Sequence, residues 1–129
     1  MQKQRLKLSR KDKERYAKIR HLDQVQRLDP IDFEHFIGYL YERQGYRVYT
    51  TVTSGDEAID LYLERNGINA VVQCKRYGGT VGQPVIRDLY GSMIHTGSQE
   101  AMIVTSGRIS APAEQWAAGK PIHLVDRYE

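Results

Sequence analysis

A chain of 129 residues, 40% of them hydrophobic, is long enough for one core-bearing domain, and none of its apolar runs approaches the roughly 20 residues that a helix needs to cross a bilayer. Its single cysteine, Cys74, excludes an internal disulfide framework and a zinc site built of several thiolates, and no apolar run follows the basic N-terminus, so a reducing cytoplasm without a signal peptide is the expectation. The net charge of +3 is unevenly spread: residues 1–29 hold ten Lys/Arg against four Asp/Glu, which leaves the remainder mildly acidic.

Residues 1–28 read as a basic arm or helix, and 29–129 as the folded domain. Within the arm Tyr16, Ile19, Leu22 and Val25 recur at every third position behind a Ser9 cap, which predicts a weakly amphipathic helix outside the core. A polyanion would meet this arm first; the alternative is a solvated helix or linker. Asp29-Pro30 then opens a helix by cap and first-turn proline, with Phe33, Phe36, Ile37, Leu40 and Tyr41 on one face and Gly45 as its stop. A strand over 46–52 follows, rich in aromatic and β-branched residues, and then a loop, Thr53-Ser54-Gly55-Asp56. Two alternating segments, 59–64 and 68–75, flank Asn66-Gly67, a strong hairpin signal. Pro84 starts a second helix that carries Val85, Ile86, Leu89 and Met93 inward until Gly97. The apolar run 101–104 predicts a strand covered on both faces, and a helix over 113–118 with Trp116 and a strand over 122–125 complete the chain. Helix, three-stranded meander, helix, strand, helix, strand is an α/β order, with a mixed central sheet flanked by helices.

A two-residue turn at Asn66-Gly67 sets Arg65 opposite Ile68 and, counting back along both strands, Asp60 opposite Gln73. Strict alternation then puts Asp60, Gln73 and Lys75 on one face, with Leu61, Leu63, Ala70 and Val72 on the other. A carboxylate, an amide and an ammonium gathered in this way suit phosphodiester hydrolysis assisted by a hard divalent cation. Asp60 would be a metal ligand, Gln73 a neutral oxygen donor, Cys74 a backbone carbonyl donor, and Lys75 the group that orients water or balances phosphate charge. Periodicity alone supports equally a hairpin whose polar face is merely hydrated.

Further residues carry a resemblance. Leu28-Asp29-Pro30-Ile31-Asp32-Phe33-Glu34, Gly45-Tyr46-Arg47-Val48, Ser54-Gly55-Asp56 with Ile59-Asp60-Leu61, Val72-Gln73-Cys74-Lys75-Arg76-Tyr77, and Ile86-Arg87-Asp88-Leu89-Tyr90-Gly91 together resemble the Mrr-type restriction endonuclease family, from about Leu28 almost to Asp126. That family belongs to the PD-(D/E)xK nucleases, in a branch where glutamine replaces the acidic residue, as Gln73-Cys74-Lys75 does here. The resemblance implies a restriction-endonuclease-like fold and a catalytic set of Glu34, Asp60, Gln73 and Lys75, with Mg2+ (or Mn2+) as cofactor and DNA as substrate. It implies a hydrolase of the type IV restriction kind, in a bacterial or archaeal cytoplasm, with no lipid partner. A homodimer, or a place in a longer chain or larger restriction system, is compatible with it. A DNA-binding module of the same fold that does not cleave is the alternative. Many relatives have glycine just before the Ile-Asp pair, where this chain has Glu57-Ala58, which adds an acidic group near the metal or marks a degenerate site. Arg76, Arg87 and Lys120 are candidates for contact with the DNA backbone and equally ordinary surface charges. His35, His95 and His123 lack metal-ligand spacing.

Overall fold

The computed structural model describes residues 3–51, 58–75 and 79–127. The elements run β1 (Lys3–Arg5), α1 (Arg10–Ala17), α2 (Leu22–Gln26), α3 (Pro30–Arg43), β2 (Arg47–Thr51), β3 (Leu61–Arg65), β4 (Ile68–Lys75), β5 (Thr80–Val81), α4 (Gln83–Thr96), β6 (Glu100–Thr105), β7 (Arg108–Ile109), α5 (Ala111–Ala117) and β8 (Ile122–Val125). Six strands form one mixed sheet in the order β1-β2-β3-β4-β6-β8. Its first four strands pair antiparallel, and β4, β6 and β8 pair parallel. The predicted α/β architecture is therefore the observed one. Among the described residues no helix is long and apolar enough to cross a membrane.

Each face of the sheet carries its own core. On one side α3 buries Phe33, Phe36 and Ile37 against Val48, Leu61, Leu63, Val72, Met102 and Val104. On the other, α4 and α5 cover Tyr62, Val71, Ala101 and Ile103 with Ile86, Leu89, Met93 and Ala113. The apolar run in β6 thus divides between both faces, as a doubly covered strand requires. Helix boundaries follow local chemistry: Asp29 caps α3 by accepting from Asp32 N–H at 2.7 Å, with Pro30 opening the first turn. Gly97 ends α4 at φ 72°.

The N-terminal segment departs from expectation. Its helix was expected outside the core, yet Tyr16 is 1% exposed and packs edge-on to Phe36 at 5.7 Å between ring centres. Residues 3–5 extend the sheet beyond β2, and Leu6 N–H continues the pairing to Val48 O at 2.8 Å. Three residues are too few to show a period of two, and a helix with one buried side chain shows little amphipathic pattern.

Candidate active site

The hairpin turn forms as expected, with Asn66 at φ 55° and Gly67 at φ 79°, the two positive values that a type I′ turn needs. It holds the predicted register from Arg65↔Ile68 back to Leu61↔Val72. There the ladder stops. Asp60 N–H donates to Val72 O at 2.8 Å, so Asp60 and Leu61 together oppose Val72, the count of a β-bulge. Ile59 accordingly packs with Tyr62 and Val71, on the side opposite Leu61, although strict alternation would put Ile59 with Leu61. The direct opposition of Asp60 and Gln73 on one face is thus corrected.

The bulge frees the Asp60 side chain to turn onto β4, where its Oδ2 accepts from Cys74 N–H at 2.7 Å. Asp60 is thereby fixed by two bonds to the main chain on either side of Gln73, at Val72 and at Cys74. Burial pushes its carboxyl pKa upward, against the Cys74 N–H and the positive charge of Lys75. Glu34 is half-buried on α3, beside Phe33, and its carboxyl is pushed up to about 7 by burial and by the charge of Asp60. The α3 side is that of Cys74, while alternation along β4 puts Gln73 and Lys75 on the side of Val71. Asp60 is coupled to both sides, to Glu34 on the one and to Lys75 on the other. Desolvation, and then the charges of Asp60 and Glu34, push the thiol of half-buried Cys74 well above its ordinary pKa.

Gln73 is 7% exposed, and among the described residues its buried Oε1 has no hydrogen-bond partner. An orphaned acceptor on the residue that the two main-chain bonds of Asp60 flank has the oxygen chemistry that a hard cation takes, alongside a carboxylate. Among the described residues, no three His, Cys, Asp or Glu side chains form a metal cage by themselves, so an amide or carbonyl oxygen would have to take part. Lys75 stands at the end of β4, and its carbonyl accepts from Thr105 Oγ1 at 2.7 Å and from Ser106 N–H at 3.1 Å. Buried Thr105, which pins that strand end, was missed from sequence because a threonine closing an apolar strand has no distinctive pattern.

The remaining candidates fall elsewhere. Arg76, Glu57 and the loop 53–56 lie outside the described residues. Arg87 is exposed on α4, apart from the groups that Asp60 engages. Lys120 Nζ donates to Trp116 O at 2.7 Å and lies 4.3 Å from the Trp116 ring centre, so it serves α5 locally. His123 pairs with Glu100 at 3.3 Å, and His95 is exposed at the end of α4.

The family model of the Mrr-type restriction endonucleases matches residues 25–129. No curated protein matches the chain. Among solved structures, the protein of unknown function AF1548 superposes with a TM-score of 0.63 at 22% identity, over 72% of this chain and 55% of that one. The DNA modification-dependent restriction endonuclease AspBHI gives 0.69 at 16% identity, over 94% and 34%. The MspJI restriction endonuclease in complex with a 27-mer oligonucleotide gives 0.52 at 14%, over 90% and 28%. The chain spans 55% or less of each of these structures, and at such identities the likeness is one of fold.

Proposed function

Because the chain belongs to the Mrr-type restriction endonuclease family, which covers residues 25–129, we propose that it is an endodeoxyribonuclease that hydrolyses phosphodiester bonds of DNA with a divalent cation, Mg2+ or Mn2+. The observation that carries this reading is the arrest of Asp60 between two main-chain bonds that flank Gln73, whose buried Oε1 has no partner among the described residues. A hard cation bound there would polarise a phosphoryl oxygen and lower the pKa of a bound water. Asp60, Gln73 Oε1 and the Cys74 carbonyl would hold it. Lys75 would orient the attacking water and offset charge developing on the phosphate. Glu34 supplies the negative charge that a glutamine in this position does not. Arg76 and Arg87 are proposed as backbone contacts.

DNA as substrate is supported by the family and by the MspJI structure, which contains an oligonucleotide. A type IV restriction role, within a longer chain or larger system, is consistent with solved structures of which this chain matches about a third or less. The test is incubation of the folded protein with supercoiled plasmid, with Mg2+ and with chelator. Nicked or linear product only with Mg2+ is expected. A folded protein that binds plasmid and never cuts would replace this reading with a binding module that lacks chemistry.

A further inference from the structure

The N-terminal cations are divided between the two sides of the sheet. Leu6 and Tyr16 enter the core under α3, which places α1 on that side. On β1, alternation sends Lys3 and Arg5 to the opposite side, above Tyr49 and Tyr62. Lys3 Nζ lies 5.1 Å from the ring centre of Tyr49 and 5.0 Å from that of Tyr62, and the Arg5 guanidinium lies 6.0 Å from Tyr49. Both cations are exposed. α4 and α5 pack over β4, β6 and β8, farther along the sheet. A groove of about 350 Å3 opens between Lys3, Tyr62 and the end of α4 at His95 and Thr96. Arg47, on the same face, is engaged with Glu64 at 3.1 Å.

This is also the side of the sheet to which alternation along β4 turns Gln73 and Lys75. Lys3 pairs with Thr51, and the neighbouring Thr50 pairs with Leu61, the residue after Asp60. Two strand spacings, roughly 10 Å, therefore separate the main chain of Lys3 from that of Asp60, about the rise of three nucleotides along one strand. Cations resting on aromatic rings are partly ordered before any ligand arrives, which lessens the entropy lost on contact. We propose that Lys3 and Arg5, held over Tyr49 and Tyr62, form a phosphate-binding track that guides the DNA backbone to the side of the candidate site that carries Gln73 and Lys75, and that the cations of α1 take no part. The proposal rests on the nuclease reading for its substrate, and it names where that substrate lies. Charge complementarity selects the occupant: two exposed cations, spaced along one strand, face a polyanion.

The test compares two double variants of the whole chain, Lys3→Gln with Arg5→Gln, and Lys11→Gln with Lys13→Gln, the latter exposed on α1. Binding to a short fluorescent duplex is followed by anisotropy in chelator over a range of salt, with circular dichroism to confirm the fold. Cleavage of the same duplex in Mg2+ is measured separately for the wild type. Loss of two phosphate contacts should reduce the slope of log affinity against log salt by about 2, at roughly 0.9 per contact, in the β1 variant only. Tyr49→Leu, which keeps both charges, should weaken binding several-fold with the slope unchanged. Equal loss of slope in both double variants, an unchanged slope in the β1 variant, or a wild type that does not bind would overturn the track. A wild type that binds through β1 and never cuts would overturn the nuclease reading alone. One that cuts with its slope indifferent to β1 would overturn the track alone.

Discussion

Gln73, whose buried carbonyl oxygen finds no partner among the described residues, is a local loss of roughly 1–3 kcal/mol for a folded chain. Gln73→Leu removes that acceptor from a 7% exposed position, at similar length, and should raise the urea midpoint by an amount equivalent to about 1 kcal/mol. The same change should abolish plasmid cleavage, and a stabilised variant with full activity would remove Gln73 from the site. Lys75→Ala separates chemistry from fold in the other direction. Its side chain is half-buried and belongs to neither core, so its loss should cost little stability. The rate should fall by roughly 10²- to 10³-fold, or about 3–4 kcal/mol, as for one preorganised group that stabilises transition-state charge. Cleavage by folded Lys75→Ala at the wild-type rate would refute its role. The neighbourhood of these residues was legible from Asn66-Gly67, because a two-residue turn leaves one register for β3 and β4. The bulge at Asp60 was not, since an apolar residue at Ile59 satisfies either face.

At the scale of elements, α1 is tied to α3 through Asp32. Arg15 Nη2 donates to Asp32 Oδ1 at 2.8 Å, and Tyr16 OH donates to the same oxygen at 2.9 Å. Arg15, above all, lowers the carboxyl pKa of Asp32, and burial opposes it. A carboxylate with a depressed folded-state pKa stabilises fully above its unfolded value of about 4 and loses that stabilisation as pH falls through the folded value. The wild type should therefore exceed Asp32→Asn in urea midpoint near neutral pH, with the gap closing below about pH 4; a gap independent of pH down to pH 2 would exclude this linkage. Asp29 caps the main chain of Asp32, so the substitution leaves the helix start intact. α3 and α4 were legible because Asp29-Pro30, Pro84 and Gly97 mark their ends. β5 and β7 have two residues each, below any periodic signal, and their pairing depends on contacts that only the folded chain makes.

Over the whole molecule, the family pattern begins at residue 25, yet the fold uses what precedes it. β1 continues the sheet beyond β2, Leu6 is 6% exposed and Tyr16 1% exposed. A Cβ built on Gly38 of α3 would lie 2.6 Å from Leu6 Cδ2, so the absence of a side chain at Gly38 makes room for the docked segment. Burying a leucine and a tyrosine is worth roughly 1.5–3 kcal/mol each, about 3–6 together, against a typical total of about 5–15 for a domain. Deleting residues 1–27 would also uncover Phe33, Phe36 and Val48 and leave β2 as an unpaired edge. The charge of this segment, read from sequence as an arm, concealed its few apolar anchors, because two buried side chains among ten Lys/Arg make no pattern. The truncated chain should lose at least a third of its unfolding free energy in urea, or its cooperative transition altogether. An unchanged midpoint and slope would mean that the segment only rests on the domain. Its contribution to DNA affinity is therefore measurable by charge substitutions on the intact chain, where a loss of binding cannot arise from a loss of fold.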